Sequence, residues 1–255
     1  MSTGAIADDF ALPLGKQLAA NEKKIRDKAV RSLRRFLSTG PELSKVDLLK
    51  LWKGLFYCFW MSDKPLVQQA LANDLGSLVM DMPTANAVPF LGAFWEIHCK
   101  EWHGLDRIRL DKYYLLFRRI INFSFQLLAS QEWEEELVKE YTTMLLDGPL
   151  HPTDRTKPDA IRYHIMDLYF EELDKVLDNL RESSSLEEDA ELDIPMDELE
   201  RPLRVLAKDA NYKVTRKRAQ ENLRQREEQD VTEEEEDVTE EEEDMTEDEE
   251  DVMEE

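Results

Sequence analysis

Apolar residues recur along most of this chain at steps of three and four positions, the spacing that lines one face of an α-helix. The stretch from Phe90 to Leu128 is the clearest case, because two such amphipathic segments meet there at Gly104. The positions predicted to form their buried faces are Phe94, Ile97, Trp102, Tyr113, Phe117, Ile120, Ser124 and Leu127. We therefore predict two helices around Gly104 that supply the centre of the core.

The same periodicity predicts helices on both sides of this stretch. Asn21, Ser44 and Ser130 are each placed to cap a helix start, and Asp47 completes a capping box with Ser44. Pro65 stands at another helix start, where its missing N–H is not needed. The predicted helices cover residues 21–36, 44–61, 65–80, 131–147 and 158–180, after a short amphipathic segment at 10–20. No window of the sequence alternates as a strand does, so we predict an all-α domain.

Alternate predicted helices begin about 40 to 50 residues apart, close to the repeat length of paired-helix solenoids. We therefore predict stacked antiparallel helical hairpins, a HEAT-like helical-repeat domain, over residues 10–226. A compact irregular helical domain is the alternative. Gly54, Gly76 and Gly92 lie inside predicted helices, where glycine is unfavourable, and close helix crossings would explain their presence.

Charge divides the chain into a nearly balanced body and an acidic end. Residues 227–255 hold 20 acidic and no basic side chains, so they carry −20 of the formal net charge of −24. Three acidic heptads, VTEEEED, VTEEEED and MTEDEED, follow one another from residue 231. One apolar residue per heptad cannot form a coiled-coil seam, so we predict that 227–255 is a disordered acidic tail. An acidic stretch at about 181–198 is predicted to be a flexible connector.

The sequence offers little for catalysis or metal binding. Cys58 and Cys99 lie in apolar helical patterns and are expected to be buried reduced thiols. His98 and His103 are five positions apart, which turns them about 140° from each other on a helix. The sequence shows no phosphate-binding glycine loop, nucleophile motif, signal peptide or membrane-spanning run. We predict a soluble intracellular protein that is not an enzyme, with no metal, cofactor, small-molecule substrate or membrane contact.

Basic residues cluster beside Gly104, in the segment 201–226 and along the helix at 21–36. In the first two clusters the side chains either form ordinary surface ion pairs or bind RNA phosphate or an acidic protein surface. The run KVTRKR at 213–218 would equally serve as a nuclear-import signal. The candidate RNA- or partner-binding residues are Arg107, Arg109, Lys112, Arg118, Arg119, Lys213, Arg216, Lys217 and Arg218. The helix at 21–36 carries Lys23, Lys24, Arg26, Lys28, Arg31, Arg34 and Arg35 outside its apolar stripe.

In the acidic stretches of the chain, five hydroxyl residues have glutamate at the +3 position, the pattern of an acidophilic kinase site. They are Ser184, Ser185, Thr232, Thr239 and Thr246. Phosphate there would add to a charge that is already strongly negative, so we expect tuning and not a switch.

Two strings of sequence carry a family resemblance: LWKGLFYCFWMSDKPLVQQALANDL at 51–75 and FLGAFWEIHCKEWHGLDRIRLDKYYLLFRRI at 90–120. They resemble the core of the eukaryotic nucleolar ribosomal RNA-processing protein 1 family. The basic segments at 22–38 and 201–223 are similar to the start and end of that family's domain. The resemblance covers most of residues 10–225 and leaves out the acidic heptads.

The resemblance implies a non-enzymatic factor of the nucleus and nucleolus that acts in maturation of the large ribosomal subunit. Its implied partners are large-subunit precursor particles, other ribosome assembly factors and pre-ribosomal RNA. We predict a helical scaffold whose basic helices contact RNA or partner proteins. The alternative is an acidic chaperone of basic proteins, such as histones or ribosomal proteins, in which residues 227–255 are the active element.

Overall fold

Helices account for all regular secondary structure in the computed structural model, which describes residues 14–40, 42–183 and 193–229. The helices are α1 (residues 14–18), α2 (Lys23–Ser38), α3 (Lys45–Trp60), α4 (Pro65–Gly76), α5 (Thr84–Glu101), α6 (Leu110–Ser130), α7 (Glu135–Asp147), α8 (Asp159–Ser183), α9 (Met196–Asp209) and α10 (residues 213–229). Short 3-10 turns occupy Ser77–Asp81, Trp102–Gly104 and Arg107–Arg109. The prediction of an all-α fold is confirmed for the described residues.

The helices form two layers in which each helix packs on the second helix along the chain. One layer contains α3, α5, α7 and α9 in that order, and the other contains α4, α6 and α8. At one end of the second layer, α2 contacts the 3-10 turn Ser77–Asp81. At the other end α10 joins α8, where the Asn222 side-chain amide donates to the Met166 carbonyl at 2.7 Å. This arrangement confirms the prediction of stacked helical hairpins.

Helix α3, the first of its layer, is apolar over most of its surface, and seven of its sixteen residues are buried. The capping box predicted at its start is confirmed, since the Asp47 N–H donates to Ser44 Oγ at 3.2 Å and the Ser44 N–H donates to Asp47 Oδ2 at 3.3 Å. Midway along α3, the buried indole of Trp52 donates to the Phe90 carbonyl of α5 at 2.9 Å. The Trp52 ring also lies edge-on to Phe94, with centroids 4.8 Å apart. A buried hydrogen bond and paired rings therefore join α3 to α5.

The two helices predicted to meet at Gly104 are α5 and α6. All eight positions predicted to form their inner faces are buried. His98 is enclosed by the rings of Trp52, Phe94 and Phe117, and its Nδ1 lies 2.8 Å from the Phe94 carbonyl. Burial lowers the pKa of His98 to about 3, so the imidazole is a neutral member of the aromatic core.

One of the three helical glycines stands where two helices approach closely. A Cβ at Gly76 in α4 would lie 2.6 Å from Cδ2 of Phe123 in α6, closer than atoms can pack, so the predicted close crossing is confirmed there. A Cβ at Gly54 would make an ordinary 3.4 Å contact with the backbone of α1, and one at Gly92 would make a contact of the same length with the Met144 side chain.

Two of the predicted helix caps are wrong. Glu134 caps α7 by accepting hydrogen bonds from two backbone N–H groups. Ser130 is instead the last residue of α6, because the turn that follows folds back to bury the Trp133 ring. The residue after Asn21 is the N-cap of α2, while the Asn21 carbonyl accepts a hydrogen bond from Arg26 at 2.8 Å.

The connector predicted at 181–198 is too long at both ends. Helix α8 continues through Ser183, and α9 begins at Met196, where buried Leu199 anchors its first turn and two acidic side chains suit the helix N-terminus. Residues 227–229 belong to α10 and not to a tail. The middle of the connector and residues 230–255 lie outside the described residues. So do the five predicted phosphorylation sites, Ser184, Ser185, Thr232, Thr239 and Thr246.

Cys58 and Cys99 are free and buried, as predicted. Burial raises the pKa of Cys58 to about 12 and that of Cys99 to about 11, so both thiols stay protonated at neutral pH. Among the helices that the structure describes, none is long and apolar enough to cross a membrane.

Candidate interaction surfaces

The corner between α5 and α6 is held in one conformation by its own side chains. Asp106 accepts a hydrogen bond from the Arg109 N–H at 3.2 Å and also pairs with the Arg109 guanidinium. That guanidinium lies over the ring of Trp60 at the end of α3, 4.5 Å from the ring centroid. Arg109 thus fixes the 3-10 turn Arg107–Arg109 against α3.

Lys112 serves the fold and not a surface. It is only 6% exposed, and its Nζ donates to the carbonyls of Phe59, Trp60 and Ser62 at 2.9, 2.7 and 2.8 Å. These carbonyls lie at the C-terminus of α3, where a helix leaves acceptors unsatisfied and favours positive charge. Burial, followed by repulsion from Arg109, lowers the pKa of Lys112 to about 8. The prediction that Lys112 binds RNA or a partner therefore has no support from its position.

Arg118 belongs to a network that joins α6 to α8. Its Nη1 lies 2.5 Å from Glu171 Oε1 and 2.6 Å from Glu172 Oε1, and Glu172 is 1% exposed. Lys175 donates to the same two carboxylates at 2.7 and 2.8 Å. Hydrogen bonds from Arg118 and Lys175 lower the pKa of Glu171 to about 2. Arg119, the next residue of α6, is half-buried and has a buried Nε without a partner among the described atoms.

Two of the four cations predicted on α10 are likewise engaged. Arg216 donates to the carbonyls of Ala210 and Asn211 after α9, at 2.6 and 3.1 Å. Arg218 makes two hydrogen bonds to the Asp167 carboxylate of α8, at 2.7 and 2.6 Å. The other two, Lys213 and Lys217, are exposed and have no partner in the described part of the chain.

A mixed apolar and cationic patch remains exposed at the corner. Ile108 is 92% exposed at the tip of the 3-10 turn, and Arg107 beside it has no partner within the described residues. Arg109 and Trp60 continue this surface onto α3, where Tyr57, one turn before Trp60, is 37% exposed. We call these five residues the corner patch. Arginine and aromatic side chains around an exposed aliphatic one are typical of the cores of protein interfaces.

The structure also reveals a surface that we did not select from the sequence. Lys24, Lys28, Arg31 and Arg35 of α2 are exposed, and none of them has a hydrogen bond or ion pair from its side chain to any described residue. We call these four residues the α2 stripe. Their recurrence at i, i+4, i+7 and i+11 is visible in the sequence and is the signal by which they could have been found.

Two other cations of α2, Arg26 and Arg34, hold that helix against its neighbours. Arg26 is buried and donates to the Met61 carbonyl after α3 at 3.3 Å. Arg34 pairs with Asp81 at 2.8 Å and donates to Ser77 Oγ at 2.7 Å. The α2 stripe is thus displayed on a helix that its neighbours fix.

Comparison with known proteins places the chain in a family. A family model described as "Nucleolar protein, Nop52" matches residues 10–255. The chain belongs to the Nop52 family of nucleolar proteins. The predicted resemblance is therefore confirmed, and the match to the family also extends through the acidic heptads, which we had placed outside it.

Several curated relatives are similar to this chain. The chain is 41% identical over 171 residues to ribosomal RNA processing protein 1 homolog A of Homo sapiens, a match that covers 65% of this chain and 37% of the relative. It is 40% identical over 171 residues to homolog B of Homo sapiens, covering 65% of this chain and 22% of the relative. The homolog of Drosophila melanogaster is 31% identical over 166 residues, covering 63% and 24%. The match with this Nop52-family chain thus spans well under half the length of these relatives.

Proposed function

We propose that this protein is a non-enzymatic nucleolar assembly factor in ribosome biogenesis and ribosomal RNA processing. It acts as a helical scaffold on precursors of the large ribosomal subunit, together with other assembly factors and pre-ribosomal RNA. Support comes from membership of a nucleolar family and from relatives named for ribosomal RNA processing. The observation that carries the scaffold role is the corner patch, an exposed interface-like surface on a fixed frame.

The corner patch suits a protein partner that offers an apolar pocket with an acidic rim. Ile108 would enter the pocket, and the Arg107 and Arg109 charges would meet the rim. Asp106, Trp60 and Lys112 already fix the turn that presents Ile108. Docking therefore requires little ordering of this turn, which lowers the entropic cost of association.

The test combines Arg107→Glu with Ile108→Ser and follows co-sedimentation with large-subunit precursor particles. Neither side chain has a partner within the described residues, so far-UV circular dichroism and the thermal midpoint should not change. Charge reversal and loss of the apolar anchor should reduce the particle-bound fraction at least about tenfold.

Lys64→Glu with Leu66→Ser is the matched control. It makes the same changes of charge and apolarity at an exposed site on α4, where Leu66 is 79% exposed. The control should sediment with particles as the wild type does. Equal particle binding by the corner variant and the control would refute docking through the corner patch.

A further inference from the structure

The α2 stripe forms a straight row of positive charge. At 100° per residue its four side chains fall within a sector of about 60°, and they extend over about 16 Å along the helix axis. The opposite face of α2 packs into the core through Ala29, Val30, Leu33 and Leu37. All four cations therefore point away from the protein.

Most of the stripe does not stabilise the helix that carries it, since only Arg35, in the last turn, suits the helix dipole. Like charges at i and i+4 repel, and both Lys24–Lys28 and Arg31–Arg35 have this spacing. Lys24 lies in the first turn of α2, where the helix dipole disfavours a cation and where the sequence supplies no acidic residue. A local cost without a compensating contact in the described structure is typical of residues kept for binding.

We propose that the α2 stripe binds the phosphate backbone of RNA. This inference rests on the proposed function, since a ribosome precursor supplies the RNA, and it names the surface that meets it. Phosphate contacts need cations in a row and no base-specific groups, so the binding is independent of RNA sequence.

The composition of α2 favours RNA over a protein partner. Protein interfaces depend on buried aromatic or aliphatic anchors, as the corner patch offers. Among the described residues, α2 exposes one large apolar side chain, that of Ile25. It is 38% exposed and lies to one side of the stripe. The one carboxylate within α2, Asp27, pairs with Lys23 at 2.5 Å, and no ion pair joins it to the stripe.

The expected salt dependence follows from the number of charges. Four phosphates neutralised by four cations give a slope of log K against log salt of about −3 to −4. Affinity should therefore fall about 60- to 250-fold between 50 and 200 mM salt.

The experiment measures the Kd of the full chain for a fluorescein-labelled RNA duplex of about 20 base pairs, an ample length for four phosphate contacts, by anisotropy at several salt concentrations. The test variant carries Lys24→Gln, Lys28→Gln, Arg31→Gln and Arg35→Gln. The control carries Lys64→Gln, Lys100→Gln, Arg155→Gln and Lys208→Gln, which remove the same charge from exposed and scattered positions. Both variants thus have the same net charge.

The stripe variant should bind the RNA duplex at least tenfold more weakly than the control variant does at 50 mM salt. Its plot of log K against log salt should also be flatter. Equal Kd and equal slope in the two variants would overturn the inference. Wild-type binding to poly-glutamate as tight as to the duplex, and lost equally in the stripe variant, would also overturn it, because the stripe would then recognise acidic protein chains.

Association with precursor particles distinguishes a failure of this inference from a failure of the proposed function. A stripe variant that loses the duplex but keeps particle association through the corner patch supports the inference. If the wild type itself fails to join precursor particles, the proposed function fails, while the in vitro comparison of the two variants still decides the role of the stripe.

Discussion

The corner beside Gly104 and the helix α2 are both rich in lysine and arginine, but their charges are used differently. At the corner Arg109 pairs with Asp106, and just beyond it on α6 Lys112 binds three carbonyls. On α2 the four side chains of the α2 stripe have no described partner. The density of basic residues along the sequence therefore does not indicate which charges are available for binding. The positions of their partners in the folded chain indicate this.

The largest effect that tests this comparison is expected at Lys112. Lys112→Ala removes three charge-assisted hydrogen bonds at the end of α3. The Phe59 and Ser62 carbonyls keep donors in the Ser62 N–H and the Gln68 amide, whereas the Trp60 carbonyl loses its side-chain donor. We expect the free energy of unfolding to fall by about 3 kcal/mol or more, whereas Lys28→Ala should change it by less than about 0.5 kcal/mol. Urea denaturation of both variants measures this difference. Similar stabilities would mean that Lys112 is a surface cation after all.

A smaller effect is expected at Arg118. Arg118→Ala removes one of two cations that neutralise buried Glu172, and Lys175 remains, so we expect a loss of about 1 to 3 kcal/mol at pH 7. The pKa of Glu171 is lowered to about 2 in the folded protein, so its contribution is complete above about pH 4.5 and is lost as the pH falls towards 2. The stability difference between wild type and Arg118→Ala should shrink over that pH range. A difference that stays constant from pH 5 to pH 2.5 would contradict the ion-pair network.

These two sites show where sequence-based prediction stops. The apolar period of α5 and α6 and the capping box at Ser44 depend on neighbouring residues, and both were predicted correctly. The carbonyls that hold Lys112 lie 50 to 53 residues earlier in the chain, and the carboxylates that hold Arg118 lie 53 or 54 residues later. No local pattern indicates such pairs. For the same reason the buried turn at Trp133 displaced the predicted start of α7.

Neutralising the α2 stripe should not lower the stability of the fold, in contrast to the substitutions of Lys112 and Arg118. Replacing its four residues by glutamine removes two repulsive i, i+4 pairs and an unfavourable charge in the first turn, and it also removes the favourable charge of Arg35 in the last turn. We expect the free energy of unfolding to stay the same or rise by about 0.5 kcal/mol. The midpoint of thermal unfolding should accordingly stay the same or rise slightly. A clear drop in the midpoint would show that the stripe has a structural partner.

The acidic end of the chain should contribute least to stability. Truncation after Gln229 removes 18 acidic and no basic residues, so the formal net charge changes from −24 to −6. Because this segment is densely acidic and has few apolar residues to bury, the thermal midpoint should hardly change. Binding of RNA to the α2 stripe should become tighter at low salt as a competing polyanion is lost, and this gain should fade as salt screens the charges. Loss of particle association in the folded, truncated protein would favour the acidic chaperone over the scaffold.

The most direct test of this division of charges is ultraviolet crosslinking in purified precursor particles, with the attached RNA fragments mapped by mass spectrometry. We predict that the RNA crosslinks fall on the segment of α2 that contains Lys24, Lys28, Arg31 and Arg35. The peptide with Arg107, Ile108 and Arg109 should carry protein contacts and no RNA. RNA attached at the corner, with none on α2, would contradict the assignment.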